Sequence, residues 1–214
     1  MLYLYVDGES HFIRAEKCLQ KLKGPDASLE DAASSCPSGL LAMGYPGSGP
    51  EKIVDRSSMF FWHQGFGAVG PWVGGHVSRA IYFTSSSGSD EAIHEANVRI
   101  RRAGFEPHIV WEQKQLSERR ANLLDQTGVI ERAKGVDVGL TVRLLEDAYA
   151  GNFQACLLFT SDVDFLPAIR VVRRLGKRVG VVGSRQGLSQ RSPLEYEPDD
   201  FFSLEHLMKN CFQS

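Results

Sequence analysis

The chain has 214 residues, 43% hydrophobic and 23% charged, with 24 Lys+Arg against 26 Asp+Glu for a formal net charge of −2. That is enough for one full domain with a proper core, and the charge excludes a wholly basic nucleic-acid coat while allowing a local basic surface. No apolar run is long enough to span a bilayer, and Met1–Val6 stops at Asp7, too soon for a signal-peptide core. Cys18, Cys36, Cys156 and Cys211 form no CxxC pair, so reduced thiols in a cytoplasmic protein are expected.

In chain order, the runs LYLYV (2–6), AIYFT (80–84), PHIVW (107–111), ACLLFT (155–160) and VGVVG (179–183) predict buried strands. They are continuously apolar, as in strands covered on both faces of a parallel sheet. Helical spacing lies between them. Ser89 and the acids Asp90 and Glu91 open a helix whose Ile93, Ala96, Ile100 and Ala103 form one face up to Gly104. A second helix is predicted from about Asp137 to Ala150, before Gly151, and a third from about Phe165 to Leu175, before Gly176. Alternating strands and helices predict an α/β fold, with a central parallel sheet of about five strands flanked by helices.

The stretch 24–78 stands apart. Nine of the 21 glycines fall between Gly39 and Gly75, together with Pro37, Pro46, Pro50 and Pro71. An insertion is expected there, within a single domain spanning 1–214. Its aromatics, Phe60, Phe61, Trp62, Phe66 and Trp72, fit a loop pinned to the body, or alternatively a stacking platform. Gly65–Gly70 spells the dinucleotide fingerprint GxGxxG, but Pro71, Gly74 and Gly75 follow, so no helix can start there to face a pyrophosphate.

The informative residues sit at the carboxyl ends of predicted strands, where open α/β sheets place their ligand sites. Strand one ends in Asp7-Gly8-Glu9-Ser10, strand four in Thr160-Ser161-Asp162-Val163-Asp164, and Lys134-Gly135-Val136-Asp137 leads into a helix. If strands one and four are neighbours, Asp7, Asp162 and Asp164 converge and Asp137 joins them. Clustered carboxylates need a proton or a cation, and without interleaved His or Cys the fitting cation is Mg²⁺ or Mn²⁺. Each acid alone is explained as well by a polar strand end or a helix N-terminus. Their shared placement favours a site.

YVDGES (5–10), KGVDVGLTVRLLEDAY (134–149) and LLFTSDVDFLPAIRVVRRLGKRVGVVG (157–183) resemble the NYN domain family, a branch of the PIN-like nucleases. The resemblance implies a PIN-like fold and a divalent-metal-dependent endoribonuclease. It makes Asp7, Asp137, Asp162 and Asp164 both the catalytic residues and the metal ligands, with a 5′-phosphate product. Three departures stand out. Ser10 replaces the usual Asn, Thr160-Ser161 replaces Ser-Gly, and Arg143 takes a place often held by a second Asp, where it would face a phosphate.

Candidate RNA contacts are Ser10, Lys134 and Ser161, plus a cationic stripe. From Asp164 to Glu195 there are seven basic residues and no acid between, and Arg170, Arg173, Arg174 and Lys177 share one helical face opposite Leu166, Ile169, Val172 and Leu175. The stripe can track phosphates. It can equally be a solvated face that pairs in part with Glu195, Glu197, Asp199 and Asp200. His11, the histidine nearest a motif, is expected to pack or cap. The partner expected is single-stranded or structured RNA, with no membrane; a homo-oligomer is left open. A second hypothesis is a non-catalytic RNA-binding or scaffold protein that keeps a structural cation site. A haloacid-dehalogenase-type phosphatase is disfavoured by Glu9, where it needs Asp, and by Gly183-Ser184-Arg185, where it needs an acidic pair.

Overall fold

The computed structural model of the chain describes residues 1–27, 40–43, 60–63, 77–86, 89–111, 134–186, 188 and 192–213. Its elements begin with β1 (Leu2–Asp7) and α1 (Gly8–Lys23), then β2 (Leu40–Met43) and β3 (Phe60–His63). Next come β4 (Val77–Ser86), α2 (Asp90–Arg102), β5 (Glu106–Trp111) and α3 (Lys134–Tyr149). The chain closes with β6 (Ala155–Phe159), α4 (Leu166–Arg174), β7 (Arg178–Gly183), β8 (Asp200–Ser203) and α5 (Leu204–Gln213). Short 3₁₀ turns lie at Val163–Phe165 and Pro193–Glu195.

Six strands form one sheet in the order β5-β4-β1-β6-β7-β8, every pair parallel. β1 and β6 are therefore neighbours, the condition on which convergence of the strand-end acids depends. Successive side chains on a strand point to opposite faces, so the sheet needs two apolar layers. Leu2, Leu4 and Val6 of β1 pack with Phe12, Ala15 and Leu19 of α1, Ile100 of α2, and Leu204 and Met208 of α5. Tyr5 packs on the other face with Ile81, Phe83, Leu140 and Leu144 of α3, and Ile169 and Val172 of α4. Both faces are covered, which is why these strands read as unbroken apolar runs.

The predicted helices form with small shifts at their ends. Ser89 caps α2, its hydroxyl accepting from the Ala92 N–H. α4 ends at Gly176, whose φ of 74° lets the chain turn out of the helix at little cost.

Two strand expectations need correction. The sheet has six strands, not about five; the sixth, β8, is only four residues long and is defined by pairing Asp200–Ser203 with Gly180–Gly183. Within the expected insertion, Leu40–Met43 and Phe60–His63 pair antiparallel as a separate two-stranded sheet. Phe60-Phe61-Trp62 has strong strand propensity, which the surrounding Gly and Pro concealed. Phe66, Trp72 and the Gly65–Gly70 run lie outside the described residues, as does most of 24–78.

Among the described residues no helix is long and apolar enough to cross a membrane.

Candidate functional site

The site begins where β1 ends. Asp7 is 5% exposed and caps α1: the Ser10 backbone N–H donates to its Oδ1 at 3.3 Å. An Asp at this position satisfies one of the four unpaired N–H groups of a helix start, which fixes the carboxylate at the strand–helix junction. The junction leaves no room for a side chain after Asp7. A Cβ on Gly8 would stand 2.2 Å from Cε1 of Tyr82 and 2.7 Å from the Phe83 carbonyl oxygen. The Tyr82 hydroxyl in turn donates to the Gly8 carbonyl at 3.2 Å.

The next strand supplies the second half. Thr160, just past β6 and 2% exposed, donates its hydroxyl proton to Asp7 Oδ2 at 3.2 Å. Thr160 Oγ1 also accepts the Asp162 N–H at 3.1 Å, and Asp162 Oδ1 accepts the Asp164 N–H at 2.9 Å, capping the 3₁₀ turn. One hydroxyl thus ties the ends of β1 and β6 together. Thr160 stood in the sequence only as a departure from a motif; a hydroxyl one residue beyond a buried strand, with an acid two residues on, was the signal available.

Asp137 sits half-buried in the first turn of α3. Tyr5 and Phe83 pack with Val136 and Leu140 on the α3 face of the sheet, and Asp7, two residues beyond Tyr5, points to that same face. Burial, and after it the negative charge of Asp137, pushes the Asp7 carboxyl up to about 7, against the lowering effect of the Ser10 and Thr160 hydrogen bonds. Metal-free, Asp7 therefore holds a proton through much of the neutral range.

The four predicted acids do not come together as one set. Asp7 and Asp137 repel each other, Asp162 joins through Thr160, and Asp164 is exposed on the 3₁₀ turn. Among the described residues no group of three or more His, Cys, Asp or Glu side chains stands close enough to hold a metal ion. Mg²⁺, however, takes one or two protein carboxylates and fills its octahedron with water and substrate oxygens. Two opposed carboxylates beside a hydroxyl are hard oxygen donors of that kind. Oxygen-only donors of this kind suit Mg²⁺ or Mn²⁺ better than a softer metal.

The expected RNA contacts divide. Ser10 lies in the first turn of α1, its backbone N–H committed to Asp7. Ser161 is buried and accepts the Ser184 N–H at 2.8 Å. Ser184 donates its own hydroxyl to Glu205 at 2.6 Å, so the end of β7 is anchored to α5 beside the site. Lys134 opens α3, its side chain lying outside the described residues. The stripe on α4 is partly occupied. Arg170 makes a two-pronged pair with Glu197, at 2.6 Å for both bonds, and Arg173 pairs with Asp199 at 2.9 Å. No ion pair among the described residues holds Arg174 or Lys177. Arg143 does not face the site: its Nε donates to Asp147 at 2.9 Å, one turn along α3, and Asp147 also accepts from the Tyr5 hydroxyl at 2.9 Å and from Asn152 at 2.8 Å. A basic residue six positions past Asp137 lies too far down the helix to reach the sheet's carboxyl edge. His11 is buried edge-on to Phe159, and burial lowers it to about 3, so it stays neutral.

The architecture is that of an open parallel α/β sheet with an acidic site where its two central strands end. A family model for the NYN domain matches residues 42–205, most of the chain, so the protein belongs to the NYN domain family. That family is part of the PIN-like nuclease superfamily. The match contains Asp137, Asp162 and Asp164; Asp7 lies before it and reaches the site through the sheet. An uncharacterized protein of Methanocaldococcus jannaschii is 40% identical over 57 residues, 27% of this chain and 24% of that one, so the likeness spans about a quarter of the relative. A solved structure of a protein of unknown function from Vibrio parahaemolyticus is similar over 95% of this chain and 91% of its own, at 16% identity and a TM-score of 0.46.

Proposed function

We propose that the protein is a divalent-metal-dependent endoribonuclease acting at the Asp7–Asp137 pair, with residues 1–214 forming a single NYN domain. The observation that carries this reading is Asp7: a carboxylate buried at the end of a central strand, oriented by two hydrogen bonds and opposed to a second acid. Leaving such a pair unneutralised is costly, and structural acids are seldom built this way.

The chemistry that Mg²⁺ or Mn²⁺ supplies when bound is positive charge on a phosphodiester and a more acidic water. The chain's own residues do the positioning. Ser10 and Thr160 hold the two oxygens of Asp7 in fixed directions, and Asp7 and Asp137 are the carboxylates that would hold the cation. Through Thr160, Asp162 is set at the same sheet edge, and Asp164 follows on the open side of the turn. RNA phosphates are drawn by Lys134 at the start of α3 and by Arg174 and Lys177, with Ser10 and Ser161 as polar contacts and Arg170 and Arg173 joining only if freed from Glu197 and Asp199. Incubation with labelled single-stranded RNA in Mn²⁺ or Mg²⁺ is expected to give products with 5′-phosphate ends. Products with cyclic phosphate ends, or equal cleavage in chelator, would sink this reading.

A second reading, an RNA-binding NYN protein without catalysis, is supported by the lack of a three-acid set among the described residues. RNA binding that persists in chelator, with no cleavage in either metal, would establish it.

A further inference from the structure

The turn after β7 is pressed against the acidic site and carries an arginine, Arg185, that lies off the α4 stripe. Gly183, which ends β7, leaves no room for a side chain: a Cβ there would stand 2.6 Å from the Thr160 carbonyl oxygen. The next residue, Ser184, donates its N–H to Ser161 Oγ at 2.8 Å. Thr160 is the residue that ties Asp7 to Asp162, so Arg185 follows directly on two contacts with the site's own edge.

The same turn is clamped from behind. Glu205, in the first turn of α5, accepts the Ser184 hydroxyl at 2.6 Å, the Gln186 N–H at 3.3 Å and, on its other oxygen, the Ser203 hydroxyl at 2.7 Å. Burial opposes the charge of Glu205, yet the hydrogen bonds from Ser184, Ser203 and backbone N–H groups hold its carboxyl below the usual range. Arg14 of α1 donates to the Gln186 carbonyl at 2.6 Å. A carboxylate and a guanidinium thus fix residues 184–186, while the side chain of Arg185 between them is 64% exposed.

The Arg185 guanidinium lies 5.9 Å from the centroid of the Phe201 ring, and Phe201 packs against the cluster that contains Leu166 and Ile169 of α4. That is the face toward which Asp7 points. Glu195, Glu197 and Asp199 take Arg185, Arg170 and Arg173 in turn, and the Arg185 pair, at 3.5 Å, is longer than the others at 2.6 and 2.9 Å. An exposed pair at that distance contributes little, whereas a phosphate accepts two bonds from the guanidinium fork. We infer that Arg185 is a phosphate-binding residue: its guanidinium exchanges Glu195 for a backbone phosphate of the RNA, between the strand-end acids and the α4 cations. This rests on the ribonuclease reading above and names the contact through which the strand passes from the acids toward Arg174 and Lys177.

The test follows binding of a labelled single-stranded RNA by fluorescence anisotropy as salt is varied, in an Asp162→Asn background so that the probe survives. Arg185→Ala is expected to weaken binding about tenfold, the loss typical of one hydrogen bond to a charged oxygen, and to lower the slope of log affinity against log salt by about 0.7. Its Tm should move by no more than about 2 °C, as for other exposed side chains. Arg102→Ala removes the same charge from the exposed last residue of α2, at the opposite edge of the sheet, and should leave binding within about twofold. Glu195→Gln removes the competing carboxylate and should tighten binding severalfold, a gain that disappears when Arg185 is alanine. Arg185→Ala that binds no worse than Arg102→Ala, with a parent that binds RNA, overturns this inference alone. So does a Glu195→Gln gain of equal size with and without Arg185. A parent that neither binds nor cleaves RNA overturns the ribonuclease reading and takes the inference with it.

Discussion

Asp7→Asn is expected to stabilise the metal-free protein, an unusual outcome for a change at a buried polar residue. The substitution keeps the cap on α1, since Asn serves there as well as Asp, and the amide can still engage Thr160. What it removes is the cost of ionising a buried carboxyl next to Asp137. Raising Asp7 from 3.8 to about 7 corresponds, at about 1.36 kcal/mol per pKa unit, to a ceiling of about 4 kcal/mol. The sign follows from the raised folded value. Below pH 4 both states are protonated and the variant gains nothing. Between about pH 4 and 7 the unfolded chain sheds the proton while the folded one keeps it, so the parent loses stability and the variant does not. Above pH 7 the gap is full. Each kcal/mol moves the Tm of a chain this long by about 2–4 °C, so thermal unfolding in chelator at pH 4 and pH 8 has ample range. Mn²⁺ should narrow the gap, because a ligand at about a hundred times its Kd adds about 2.7 kcal/mol to a parent that binds it and little to a variant missing one ligand. An Asp7→Asn protein less stable than the parent in chelator at pH 8 would refute the electrostatic argument. Equal Mn²⁺ shifts for the two proteins would remove Asp7 from any metal site.

Three further outcomes are expected. Asp147→Ala strands the Tyr5 hydroxyl and leaves Arg143 only its longer ion pair to Glu106 at 4.0 Å, a loss of about 3 kcal/mol by urea unfolding at pH 7. Its hydrogen bonds to Asn152, Arg143 and Tyr5 hold the carboxyl below its usual range despite burial, so the parent's advantage is full above about pH 4 and shrinks as pH falls further; a constant gap would contradict this. Gly8→Ala forces a methyl against Tyr82 and the Phe83 carbonyl, costing about 2 kcal/mol or more and disturbing the turn that aims Asp7; an unaltered Tm would show that the junction yields. Replacing Arg174 and Lys177 with alanine should lower the slope of log affinity against log salt for single-stranded RNA by roughly 1.4, about 0.7 per phosphate contact. An unchanged slope would place the RNA track elsewhere.

How much of this was legible in the sequence depends on whether the deciding interaction was local. β1, β4, β5, β6 and β7 announced themselves because strands buried on both faces are apolar throughout, whereas β8 is half-exposed and opens with Asp200. The arginine face of α4 followed from helical spacing, and Glu197 and Asp199 were among the acids expected to pair with it; which arginine each takes, 27 and 26 residues upstream, is decided only once β8 is in place. Asp7 was readable as a strand-end acid. Its tie to Asp162 was not, because that tie is the Thr160 hydroxyl bridging two strands whose adjacency belongs to the fold. Arg143 misled for a related reason: its position in a motif said nothing of Asp147, one turn away and facing Tyr5.

Cleavage of a labelled single-stranded RNA by the parent and by Asp162→Asn, each in Mn²⁺, Mg²⁺ and chelator, tests the central claim most directly. Cutting by the parent that requires metal and falls at least a hundredfold in Asp162→Asn, roughly the effect of losing one electrostatic contributor to a transition state, is the result expected. An RNA left intact by the parent in both metals, or cut as fast by the variant, would contradict it.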